Sequence, residues 1–123
     1  MEYAFSWITL HVRDIDASLA FYRDFLGLPL NDRKKPNPDL EIAFLGSGDS
    51  QVELMAHAGT TESTCGESLS IGFVVPDTLE AVMPVLAERG ITVKADPVQP
   101  NPHIRFMFVY DPDGFVVQLI QRL

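Results

Sequence analysis

The sequence is short of cysteine, of positive charge and of long apolar runs, and each shortage removes a class of function. A single cysteine, Cys65, among 123 residues cannot close an intramolecular disulfide, which points to a reducing, cytoplasmic setting. Nine basic residues stand against seventeen acidic ones, for a net charge of −8. Such a chain repels phosphate backbones and anionic lipid, so nucleic acid and membranes are not expected partners. No apolar stretch approaches the roughly 20 residues that cross a bilayer, and the first residues lack the basic start and apolar core of a secretory signal. Tryptophan is also scarce, with Trp7 alone. What is plentiful is apolar side chain, 46% of residues, enough for one compact domain or two half-domains sharing a core.

An internal repeat organises that material. Phe5 to Val12 alternates as a strand does, with Ile8, Leu10 and Val12 on one face and Trp7, Thr9 and His11 on the other. A helix then starts with Asp16 as N-cap, carries Leu19, Tyr22 and Leu26 at helical spacing, and stops at Gly27. Ser70 to Val75 alternates in the same way, and its helix, entered at Asp77, carries Leu79, Val82, Met83 and Leu86 before Gly90. Asp14 and Asp77 lie 63 residues apart, and so do Gly27 and Gly90. Pro84 conflicts with the second helix, which must kink or begin later.

Three further strands follow each helix. They are expected at 28–33, 41–45 and 51–56, then at 91–95, 104–110 and 115–121, with turns at 36–39, 46–50, 96–102 and 111–114. The fold class is therefore α+β, two tandem βαβββ units forming a curved mixed sheet with a concave pocket face. The units span about 1–58 and 67–123, joined by a polar linker or lid at 59–66. Strand parity lines the concave face with Trp7, Thr9, His11, Glu53, Met55, His57, Ser70, Gly72, His103, Arg105, Met107, Val116 and Gln118.

The duplicated unit, the run from Val12 through Asp14 and Asp16 to Phe21-Tyr22 and Phe25-Leu26-Gly27, and the late Asp111-Pro112-Asp113-Gly114-Phe115 turn together resemble the vicinal oxygen chelate superfamily. That group includes glyoxalase I, bleomycin-resistance proteins and extradiol dioxygenases. Its metal-dependent members take one ligand from the first and one from the last strand of each unit, drawn from His, Gln and Glu. The divalent ion polarises substrate oxygens. Carried over by position, the four ligand places fall on Trp7, Glu53, Ser70 and Gln118. Only Glu53 retains a ligand of the family, so no metal and no other cofactor is expected.

Two functions follow from the resemblance. The first is a metal-free protein, homodimeric like the drug-sequestering members, that binds a small aromatic or cationic organic ligand through Trp7, His11, Met55, Ser70, Arg105, Met107 and Gln118. The second is a lyase, epimerase or dioxygenase-type enzyme in which Glu53 acts as general base, Arg105 or Gln118 holds the oxyanion, and an unusual or substrate-assisted divalent metal takes part. Simpler readings stand beside both. Glu53 pairs with Arg105, His11 is a hydrogen-bonded residue near a sheet end, and His57 and His103 are loop residues unless one of them joins Glu53 in a distorted metal site.

Overall fold

A computed structural model describes residues 1–63, 65, 66 and 68–123, and the chain divides into two compact units, 1–64 and 65–123. Position 64, inside the expected linker, and position 67, at the expected start of the second unit, lie outside the described residues. The first unit contains β1 (Trp7–His11), α1 (Ile15–Leu19) continued by a π-helical stretch (Ala20–Phe25), β2 (Leu30–Asn37), β3 (Leu40–Leu45) and β4 (Gln51–His57). The second contains β5 (Ser70–Val74), α2 (Leu79–Arg89), β6 (Val93–Asn101), β7 (Ile104–Tyr110) and β8 (Val116–Arg122). Each unit builds a four-stranded mixed sheet, in the orders β1-β4-β3-β2 and β5-β8-β7-β6. The first and last strands pair in parallel and the other neighbours are antiparallel. Two tandem βαβββ units are thus what the chain folds into. Among the described residues, no helix is long and apolar enough to cross a membrane.

The helices are fixed at both ends. Asp14, two residues earlier than expected, caps α1 by accepting from the backbone N–H of Asp16 and Ala17. Thr78 rather than Asp77 caps α2, its hydroxyl accepting from the Ala81 N–H. Both helices stop at left-handed glycines, Gly27 with φ 78° and Gly90 with φ 66°, which a residue with a β-carbon adopts only at a cost. The later start at Leu79 does not clear Pro84, which still lies within α2. One helical hydrogen bond is lost there. The start of the helix is anchored to the sheet, because Leu79 N–H donates to the Gln121 side-chain oxygen at 3.0 Å.

Two expected turns are shorter than expected, keeping residues 38–39 of the first and 102 of the second, because strand takes up the rest. β2 runs through Pro36 to Asn37, and β6 runs through Pro97 and Pro100 to Asn101, the latter with three shifts of register. Both are edge strands. An edge strand needs only half of its N–H groups for pairing, so prolines that would exclude a central strand are accommodated.

The core of the first unit is Leu10, Val12, Ala43, Leu45, Val52 and Leu54 beneath Ile15, Leu19 and Tyr22, all buried. In the second, Met107, Val109, Val117 and Leu119 lie beneath Leu79 and Leu86. Alternation along each strand leaves the other face of each sheet free of helix, and this face carries the polar and aromatic residues.

Candidate functional site

In the first unit the helix-free face is set by the pairing of Glu53 with Thr9 on one side and Phe44 on the other, of Met55 with His11 and Ile42, and of His57 with Leu40. Trp7, His11, Glu53 and Met55 all lie on it. Glu53 sits at its centre and is only 7% exposed. The Thr9 hydroxyl donates to its Oε1 at 2.5 Å. Trp7 packs edge-on against Phe44, with ring centroids 5.4 Å apart, and remains 51% exposed. The Lys34 ammonium lies 5.8 Å from the Phe44 ring centre. At the other end of the face, the His11 and His57 rings stack nearly parallel at 6.1 Å. Each is the last residue of its strand, so His57 ends β4 rather than lying in a loop.

The second unit repeats this geometry with different chemistry. Ser70, Gly72 and Val74 stand opposite Val116, Gln118 and Ile120, and Phe106 and Phe108 extend the same face from β7. Thr9 and Gly72 are equivalent under the offset of 63. Where Thr9 donates to Glu53, Gly72 instead lets neighbouring side chains close in, since a β-carbon there would be crowded at 3.0 Å from Ile120 Cδ1 and lie 3.5 Å from Gln118 Oε1. The entry to β8 is set by the Asp-Pro-Asp-Gly turn. The Asp111 carboxylate accepts from the N–H groups of Asp113 and Phe115, and Gly114 takes φ 93°.

Arg105 and Met107 are not on this face. Met107 pairs with Leu119 and Arg105 with Gln121, which places both on the side of α2. Met107 is fully buried in the core. The Arg105 guanidinium donates to both carboxylate oxygens of Glu80 on α2 and, at 3.2 Å, to Gln121. Hydrogen bonding to Arg105 holds the Glu80 carboxyl below its ordinary value. The departure from expectation has a physical source. Apart from Arg105, both parities of Ile104 to Tyr110 are apolar, so alternation within β7 does not tell its two faces apart. Only the register with β8 does. Arg105 is therefore neutralised within its own unit, which removes both the Glu53–Arg105 ion pair and the Arg105 oxyanion clamp. His103 lies in the β6–β7 turn, where its N–H donates to Asn101.

Phe44 and Phe108 join the face without having been expected there. A signal for Phe44 exists in the sequence, because β3 alternates Ile42 and Phe44 against Ala43 and Leu45 in strict antiparallel register with β4.

The four family ligand places do not make a divalent-metal donor set. Indole has no in-plane lone pair to donate, a serine hydroxyl is a weak ligand, and Gln118 supplies only a neutral amide oxygen. The remaining carboxylate, Glu53, already accepts from Thr9. His57 does not repair the set, since it stands four residues along the strand from Glu53, roughly 13 Å away.

The family model described as the Glyoxalase/Bleomycin resistance protein/Dioxygenase superfamily matches residues 4–119. A protein named probable lactoylglutathione lyase from Vibrio parahaemolyticus is 34% identical over 122 residues, covering 92% of this chain and 86% of its own length. The lactoylglutathione lyase of Haemophilus influenzae is 33% identical over 121 residues, covering 92% and 88% respectively. A solved glyoxalase family protein from Bacillus cereus superposes with a TM-score of 0.85 at 18% identity, over 100% of this chain and 96% of its own. At that identity the agreement concerns the fold.

Proposed function

The chain belongs to the glyoxalase, bleomycin-resistance protein and dioxygenase superfamily, and from that premise we propose that it is a metal-free binder of a small, flat, cationic organic molecule. The observation that carries this reading is the buried Glu53 carboxylate beside the Trp7–Phe44 pair. Among the described residues its hydrogen-bond partner is the neutral Thr9 hydroxyl, and no cation pairs with it. A buried carboxylate is costly until a positive group approaches it. A planar cation does so while covering aromatic surface, gaining stacking and cation–π attraction together. On the corresponding face of the second unit Ser70 and Gln118 are neutral hydrogen-bonding groups, and homodimerisation belongs to the same proposal.

A second reading is favoured by the relatives named lactoylglutathione lyase and by the retained carboxylate. Here Glu53 is a general base that takes a proton from carbon next to a carbonyl, with an unusual or substrate-assisted metal. This would make the chain an enzyme of lyase, epimerase or dioxygenase type.

Titration with proflavine, a planar cation, separates the two, because Trp7 is the sole tryptophan and reports from the site. The binder reading expects saturable quenching by proflavine and none by Zn²⁺ or Ni²⁺. It also expects Glu53→Gln to weaken proflavine binding by about tenfold or more, the value of one charge-assisted contact. If purified chain carries about one tightly held transition metal, or if Glu53→Gln abolishes a turnover with affinity intact, the enzyme reading stands instead.

A further inference from the structure

The first unit holds a second concavity, of about 300 Å³, which is bounded by the chain beyond the ends of β1 and β4 and by the β2–β3 turn. Arg13 and Asp14 line one side, Lys35, Asp39 and Glu41 line the hairpin side, and the wall between is the chain from His57 to Thr60.

The charges on this wall sort by what they already do. Asp14 is committed to capping α1. Glu41 accepts from the Arg33 Nε at 2.8 Å. The backbone offers little, since the Ala58 N–H donates to the Asp39 carbonyl and the Thr60 N–H to the His57 carbonyl. Lys35 and Asp39 remain. Both line the cavity, and among the described residues neither side chain forms an ion pair, with the other or with anything else.

A cavity with available charge of both signs selects against singly charged ligands. A simple anion that meets Lys35 also meets Asp39, and a simple cation meets the reverse. A molecule carrying both charges a few ångströms apart satisfies both, and 300 Å³ suits a small metabolite rather than a chain segment. We propose that this cavity binds a small zwitterion of the α-amino-acid class, its carboxylate held by Lys35 and its ammonium by Asp39. The site is separate from the Trp7–Glu53 surface and does not depend on the function proposed for it. His57 touches both, because it lines the cavity and stacks on His11, so occupancy is also readable at the open face.

The test is a two-dimensional amide NMR titration of the full chain with L-alanine, acetate and methylammonium. L-Alanine is expected to shift the amides of 13, 14 and 57–60 saturably at millimolar concentration, at least about tenfold tighter than either singly charged probe. Lys35→Gln and Asp39→Asn, both at exposed positions, should each weaken L-alanine by about fivefold or more, with the rest of the spectrum unchanged. The proposal is overturned if acetate or methylammonium binds as tightly as L-alanine, if neither substitution weakens it, or if no saturable shift appears.

Discussion

Replacing Trp7 with alanine tests how much of ligand affinity rests on one ring. Trp7 retains 51% of its surface in the folded chain. A tryptophan offers up to about 250 Å², so roughly 125 Å² is available to a partner. At about 25 cal/mol per Å², a ligand covering half to all of that area gains about 1.5 to 3 kcal/mol. This corresponds to roughly a 10- to 150-fold rise in Kd for Trp7→Ala. The substitution removes the fluorophore, so proflavine binding to both proteins is measured by calorimetry, with Trp7→Phe as the ring-retaining intermediate. Because Trp7 lies on the edge strand β1 and is half-exposed, the circular dichroism spectrum should not change. If a normally folded Trp7→Ala protein binds proflavine with unaltered Kd, the aromatic surface on β1 is not where the ligand stacks.

Gly90→Ala is expected to lower stability by about 1 kcal/mol in urea denaturation, since Gly90 has φ 66° and a β-carbon added there would meet nothing within 4 Å that could repay the strain. Gly48→Ala, where space is equally open and φ is ordinary, should cost nothing comparable. The Glu80 carboxyl is held below its ordinary value of 4.5 by Arg105. Its contribution to stability is thus complete above the ordinary carboxylate range and is lost as pH falls through the lowered folded-state value. Urea midpoints for the wild type and Glu80→Gln should therefore differ near pH 6 and converge near pH 2.

The repeat is legible in the sequence because glycine and aspartate punctuate both units at the same spacing and because only glycine stops a helix cheaply at positive φ. The helix starts are legible only to within one or two residues. Asp14, Asp16, Asp77 and Thr78 are all competent caps, and the choice among them depends on where each strand releases the chain. The face carrying Trp7, Glu53 and Met55 can be read from β1 and β4, where polar and apolar residues alternate. β7 is apolar on both faces apart from Arg105, so its sidedness is a property of the pair it forms with β8 rather than of its own residues. Arg105 and Met107 fall on the opposite face from the expected one for that reason. The prolines of β2 and β6 mislead in the other direction, since their permissibility depends on position in the sheet order, which no local window contains.

Those prolines also govern how the chain meets other chains. Each sheet has two borders, and an unpaired border is a template on which a stray strand can polymerise. On β2 and β6 the template is defaced, by Pro36 on one and by Pro97, Pro100 and a slipping register on the other. The borders formed by β1 and β5 contain no proline. Within each sheet the proline-bearing border, β2 in one unit and β6 in the other, is thus the one guarded against strand addition.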